Sequence, residues 1–192
     1  MQMATVTAAK IEGVPGPKRR LWMVGALILM VSARAQTQSA GEYQIKAAFL
    51  YNFAKFVEWP QGDLADATRP FRICVLGQDP FGQELRDITS EKTVNGHRLQ
   101  IVLVADLQQA RTCQILFIAS SEKAQLKKVL ETLEGSSALT VGDSKGFVEL
   151  GGMINFVLED DRVRFEVNHK AAERAGLKIS SKLLTIAKSV TE

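Results

Sequence analysis

The chain has 192 residues, of which 46% are hydrophobic and 23% charged, enough apolar material for one well-buried core with no need of a second. Its formal net charge of +3 misleads, because residues 1–35 hold five of the 24 basic residues (Lys10, Lys18, Arg19, Arg20, Arg34) and only Glu12 of the 21 acidic ones. The remainder carries 19 basic against 20 acidic residues with no basic stripe, which removes the electrostatic case for nucleic-acid binding.

The basic cluster Lys18-Arg19-Arg20, the apolar run Leu21 to Ala33 and the small-residue signal Ala33-Arg34-Ala35 follow one another as in a cleavable secretory leader, with the cut expected after Ala35. A transmembrane anchor is the alternative, but crossing a bilayer takes about 20 apolar residues, and this run is shorter. No cysteine follows the cut, so lipid attachment there is not indicated. The expectation is an exported, soluble, periplasmic protein with one domain over residues 42–190. Cys74 and Cys113 are the only cysteines. In an oxidising compartment an even pair reads first as a disulfide, worth about 4 kcal/mol for a loop of this size. Two buried free thiols or a metal pair are the alternatives, and the spacing excludes a C-x-x-C redox motif.

After the leader, Glu42 to Trp59 reads as a helix ended by Pro60. Ile45, Phe49, Phe53 and Phe56 mark one face and Tyr43, Leu50, Ala54 and Val57 a neighbouring one, so the helix should be buried on two sides. Either both sides are core, or the aromatic one meets another protein chain. Phe71 to Leu76 is a buried strand closed by Gly77, and Asp79-Pro80 supplies a cap and first turn for a helix to about Asp87. Val94-Asn95-Gly96 turns into a second strand, Leu99 to Val104; Gln114 to Ala119 is a third. Ser120-Ser121-Glu122 opens a helix to about Leu133, with Leu126, Val129, Leu130 and Leu133 at helical spacing, before a fourth strand at Ala138 to Val141. This alternation predicts βαβ units around a parallel sheet.

Met153 to Leu158, the turn Glu159-Asp160-Asp161 and Arg162 to Asn168 then form a β-hairpin, with Val163, Phe165 and Val167 on its buried face. Asn168 caps a short helix that Gly176 ends, and Ser180-Ser181 starts a last one with Leu183, Leu184, Ile186 and Ala187 inward. The predicted fold class is α/β: a three-layer sandwich whose mainly parallel sheet is extended by a C-terminal antiparallel hairpin, with N- and C-terminal helices.

Between strand and hairpin lie Gly142, Gly146, Gly151 and Gly152. A phosphate-binding loop would need G-x-x-x-x-G-K-[ST] leading into a helix, yet Gly146 is followed by Phe147 and the segment leads into a strand. No G-x-G-x-x-G occurs either, so these glycines read as turns and bulges. His97 and His169 are isolated and expected to be solvated; neither accompanies a nucleophile, and there is no G-x-S-x-G or H-x-x-x-H. Asp160-Asp161 is a carboxylate pair, but at a hairpin tip where turn chemistry favours Asp. No catalytic, metal or cofactor site is expected.

The blocks EYQIKAAFLYNFAKFVEWP, ICVLGQDPFG, CQILFIASSE, LTVGDSKGF, GGMINFV, RFEVN and RAGLKISSKLL, in that order from Glu42 to about Ala187, resemble the YfiR family of periplasmic regulators. The resemblance implies a small exported α/β protein that represses an inner-membrane diguanylate cyclase through its periplasmic sensor region, lowering cyclic di-GMP and biofilm formation. It implies a homodimer, release of repression by an outer-membrane or periplasmic protein, and a stabilising disulfide, which Cys74 and Cys113 match. A second cysteine pair carried by some relatives is missing, since Val141 to Asn168 holds none. On this reading Phe49, Phe53, Phe56 and Trp59 form part of a partner-binding surface. The alternative function is a non-enzymatic module for a small nucleotide or amino-acid-like anion. Such a ligand would sit beyond the carboxyl ends of the parallel strands, at Gly77-Gln78-Asp79, Ser120-Ser121 and Gly142-Asp143.

Overall fold

A computed structural model describes residues 41–60, 62, 64–66 and 68–192; the expected leader 1–35 and its cut at Ala35 lie outside the described residues. Helix α1 (residues 41–56) is followed directly by a short strand β1 (Val57–Glu58). The sequence predicts helix up to Trp59. Instead Val57 and Glu58 pair antiparallel with Ile179 and Lys178 of β9 (Lys178–Ile179), because the residue before a proline leaves the helical region and the chain straightens ahead of it.

The parallel centre is built from β2 (Phe71–Leu76), β4 (His97–Val104), β5 (Ile115–Ile118) and β6 (Leu139–Gly142). β2, β5 and β6 are buried on both faces because both are covered, whereas β4 exposes Arg98, Gln100 and Leu103. Phe71, Ile73, Val75, Ile115, Phe117, Leu139 and Val141 pack with Leu50, Phe53 and Ala54 of α1. Cys74, Leu76, Leu116 and Ile118 pack the other way, with Leu126, Val129, Leu130 and Phe147. The result is the expected three-layer sandwich. The hairpin β7 (Ile154–Glu159) and β8 (Arg162–Asn168) extends the sheet beyond β6, turning through Asp160 and Asp161 at φ +47° and +57°. The full sheet order is β10-β8-β7-β6-β5-β2-β4-β3, where β3 (Thr93–Val94) and β10 (Ser189–Thr191) are short edge strands that the sequence pattern does not announce.

The helices depart from expectation in instructive ways. Asp79 does cap a turn, its Oδ1 accepting from the amides of Phe81 (2.9 Å) and Gly82 (3.3 Å). Gly82 then takes φ +54° and interrupts the run, so α2 begins only at Glu84 and ends at Thr89. A four-residue helix α3 (Leu107–Ala110), capped by Asp106, was not anticipated. The helix expected from Ser120 is 3-10 over Ser120–Gln125 and becomes α4 at Leu126–Thr132. Asn168 caps α5 (His169–Arg174) as predicted, and Ser180 caps α6 (Ser181–Ile186). Leu183 is buried and Leu184 and Ala187 half-buried, but Ile186 faces solvent, since α6 presents only one narrow face to the core. His97 corrects another expectation: the Asn95-Gly96 turn folds it inward, and it is buried with Nδ1–H donating to the Arg69 carbonyl at 2.8 Å. His169 is half-buried.

Cys74 and Cys113 are joined, 39 residues apart in sequence with Cα atoms at 6.0 Å, and the bridge is enclosed in the α4-side core. The exported protein is expected to show no free thiol when unfolded without reductant. Replacing either cysteine should lower stability by about 2–5 kcal/mol, read by denaturant titration.

The glycine-rich connector has a packing explanation. β6 and β7 are parallel neighbours, and the segment joining them tucks the fully buried Phe147 ring against its own backbone. A Cβ on Gly142 would lie 2.4 Å from that ring and one on Gly152 2.1 Å, while Gly146 and Gly151 supply φ +84° and +103°. Gly152→Ala should therefore cost about 1–3 kcal/mol by overpacking. Most of that loss should return in the double variant with Phe147→Leu, relative to Phe147→Leu alone, when thermal unfolding is compared.

Candidate functional site

α1 carries a lysine on its buried stripe. Lys46 lies three residues after Tyr43 and four before Leu50, so helical geometry points its stem into the protein with the core residues. It is only 4% exposed. A buried ammonium must find counter-charge or it neutralises or unfolds its surroundings. Lys46 Nζ finds two carboxylates, Asp143 Oδ2 at 2.9 Å and Glu42 Oε1 at 2.6 Å, and it stands over the Tyr43 ring at 4.3 Å. Tyr43 Oη donates to the same Asp143 oxygen at 2.8 Å. Asp143 Oδ1 is also buried and has no hydrogen-bond partner among the described residues. Burial first, and then the Asp143 carboxylate, push the Tyr43 hydroxyl well above its ordinary value. The clamp thus fastens the first helix to the loop leaving β6, where the glycine connector begins.

Beside it, four phenylalanines join α1 to the hairpin. Phe53 lies 5.7 Å from Phe156 and 5.3 Å from Phe165, ring centre to ring centre, and Phe49 lies 6.0 Å and 5.4 Å from the same two rings. Offset and edge-on pairs at these distances add to simple area burial. Phe53 is fully enclosed, so within this fold it cannot touch a partner: of the four aromatics expected at a contact surface, it belongs to the core. Phe49, Phe56 and Trp59 are half-buried. Trp59 is anchored inward, its Nε1 donating to the Gln114 carbonyl at 3.1 Å and its ring standing edge-on to Phe71. Ile45, which the helical spacing places with them, is exposed.

The residues expected to hold a small ligand are not brought into one site. Gln78 N donates to Ser121 Oγ at 2.9 Å, and a Cβ on Gly77 would strike that oxygen at 2.5 Å. Asp79 is engaged with its own turn and lies 3.9 Å from Arg86. Gly142 lies beneath Phe147, Asp143 belongs to the clamp, and Ser120 is exposed at the 3-10 start. A cleft of about 460 Å³ lies elsewhere, floored by Leu130, Leu133, Ala138 and Met153 and flanked by Arg174. Among the described residues no three His, Cys, Asp or Glu side chains are grouped as a metal site needs, and no helix is long and apolar enough to cross a membrane.

The sequence reading missed the clamp. Its one visible signal was Lys46 itself, a charge on an otherwise apolar stripe, which demands a buried anion from somewhere in the chain. Asp143→Ala should remove about 3–5 kcal/mol of stability by leaving the ammonium under-compensated. Tyr43 also makes a pH prediction. Its folded-state value is raised, so its contribution is complete below the unfolded value of about 10 and is lost as pH climbs beyond it. Urea titrations between about pH 8 and pH 11 should show an alkaline loss that is smaller in Tyr43→Phe.

Residues 43–188 fit the family model described as YfiR/HmsC-like. No curated protein matches the chain. Similar solved structures include a conserved domain protein from Vibrio cholerae O1 biovar eltor, 13% identical over 63% of this chain and 55% of that one, with a TM-score of 0.49. Another is an ABC domain from Streptococcus pneumonia in complex with L-Trp, 13% identical over 67% and 58%, with a TM-score of 0.46. The chain spans a little over half the length of each.

Proposed function

Because the chain belongs to the YfiR/HmsC-like family, which points to a periplasmic regulator of cyclic di-GMP signalling, we propose that it represses an inner-membrane diguanylate cyclase by binding the cyclase's periplasmic sensor region. The family match over residues 43–188 carries the reading. The packing is in keeping with it: of the strand-end residues, where an α/β enzyme would place its chemistry, Gln78, Asp79, Ser121 and Asp143 are engaged by the chain's own contacts. The protein acts by association and not by turnover. Relief of repression is then a matter of linkage. A second periplasmic or outer-membrane protein, or a small ligand, that binds the free regulator better than the complexed one draws it off the cyclase.

Export is part of the mechanism, since a sensor region facing the periplasm can be held only by a protein that has crossed the inner membrane. Deleting the gene should raise cyclic di-GMP and surface attachment in the parent bacterium. The full-length gene should restore the low level, and a version lacking residues 1–35 should not. Unchanged cyclic di-GMP in the deletion strain, with the cyclase present, would overturn the proposal.

A further inference from the structure

The cleft of about 460 Å³ owes its shape to a turn and a loop. α4 stops at Thr132, and Gly135, at φ +72°, swings the chain away toward β6. The connector then brings in Leu150 and Met153, and α5 supplies Arg174. A hollow of this volume is of the size that holds a small molecule. Its floor is apolar in effect as well as in composition, because the two hydroxyls within it are already engaged. Thr140 Oγ1 accepts from the Met153 amide at 3.1 Å, and Ser136 Oγ donates to the Leu133 carbonyl at 2.7 Å. Water there finds few partners, so an apolar group that displaces it gains affinity. Among the described residues no aromatic ring lines the cleft. Leucine, alanine and methionine offer a flat ring nothing to stack on, but they adapt to a flexible aliphatic chain.

We propose that this cleft binds an aliphatic chain carrying a single negative head group, the chain lying on Leu130, Leu133, Ala138 and Met153 and the head group on Arg174. Leu150, 47% exposed at the rim, is covered when the chain is in place. Arg174 is exposed in the last turn of α5 and has no ion pair or side-chain hydrogen bond with any described residue. Its planar guanidinium can take a carboxylate or a phosphate through two parallel hydrogen bonds. The other charges at the rim set the orientation. Glu131, with Lys127 at 3.9 Å, and Glu134 stand on α4 and the turn after it, so an anionic head is repelled from that end and drawn to α5. A free fatty acid and a single-chain phospholipid share this chemistry, and deacylation of a membrane phospholipid releases both.

The site is independent of the repressor reading, and it can be tested on the purified protein after export. Met153 is the sole methionine beyond residue 35, so methyl-labelled methionine reports on the cleft floor through one resonance. Decanoate, titrated below its micelle-forming concentration, should shift that resonance saturably with one-to-one stoichiometry. Arg174→Gln alters an exposed side chain, so the unliganded melting temperature should hold while decanoate affinity falls about 10- to 100-fold. Leu150→Glu, which sets a carboxylate at the rim, should weaken binding too. Arg164→Gln, exposed on β8 outside the cleft, should bind as the wild type does. Lysophosphatidylglycerol should compete with decanoate for the same shift, and the tighter of the two identifies the source of the chain. An unshifted Met153 resonance, or an Arg174→Gln protein that binds decanoate as tightly as the wild type, would overturn the assignment. So would decyltrimethylammonium binding as tightly as decanoate, or 2-naphthoate binding more tightly, since the first needs no Arg174 and the second no aliphatic chain.

Discussion

A buried ammonium dictates much of this architecture. Lys46 sits on the core side of α1 at 4% exposure, and the free energy of an isolated charge there would exceed what any single apolar contact returns. Glu42 on the same helix is a local counter-ion, but Asp143, 97 residues further along, is the one that ties distant parts of the chain together. Meeting that requirement fixes where α1 lies along the sheet and where the chain must leave β6. The four-phenylalanine contact with the hairpin then sets α1 from its other end. Apolar contacts alone would tolerate some sliding; an ion pair with Tyr43 donating to the same oxygen does not.

The connector after Asp143 follows from this. Having left β6 at the clamp, the chain must return as a parallel neighbour, β7, within residues 143–153. A helical crossover needs more chain than that. The solution is a compact loop wrapped around one aromatic ring, which explains why two glycines face Phe147 and two others take positive φ. The same ring completes the core on the disulfide side. The glycine cluster that resembles a phosphate cradle is thus a substitute for a helix.

How much of this was legible in the sequence depends on the range of the interaction. The strands Phe71–Leu76 and Ile115–Ile118 are written in short, mostly apolar runs, and the second hairpin strand, Arg162–Asn168, in strict alternation, so the layer order followed from local pattern. Caps at Asn168 and Ser180 are likewise local. What escaped is pairing between distant segments. Val57–Glu58 looks helical until Lys178–Ile179 is beside it, and His97 looks solvated until the Arg69 carbonyl is known to face it. For the expected sites the pattern gave residue types without partners: Phe53 reads equally as core or as contact, and Gly77 and Asp143 read as strand-end ligands until Ser121 and Lys46 claim them.

That distinction bears on what kind of function the fold can support. A site made of converging polar groups leaves traces in spacing, because the chemistry fixes which residues must meet. A regulator that works by association needs only a surface of suitable shape and polarity, and a surface can be composed of residues with no signature of their own. Here Asp79, Ser121 and Asp143 at the strand ends are engaged by the chain itself, while apolar side chains such as Ile45, Leu103 and Leu158 stay in solvent. In a chain whose core encloses Phe53, Phe71, Phe117, Phe147 and Phe165, those exposed residues are where binding specificity has room to reside.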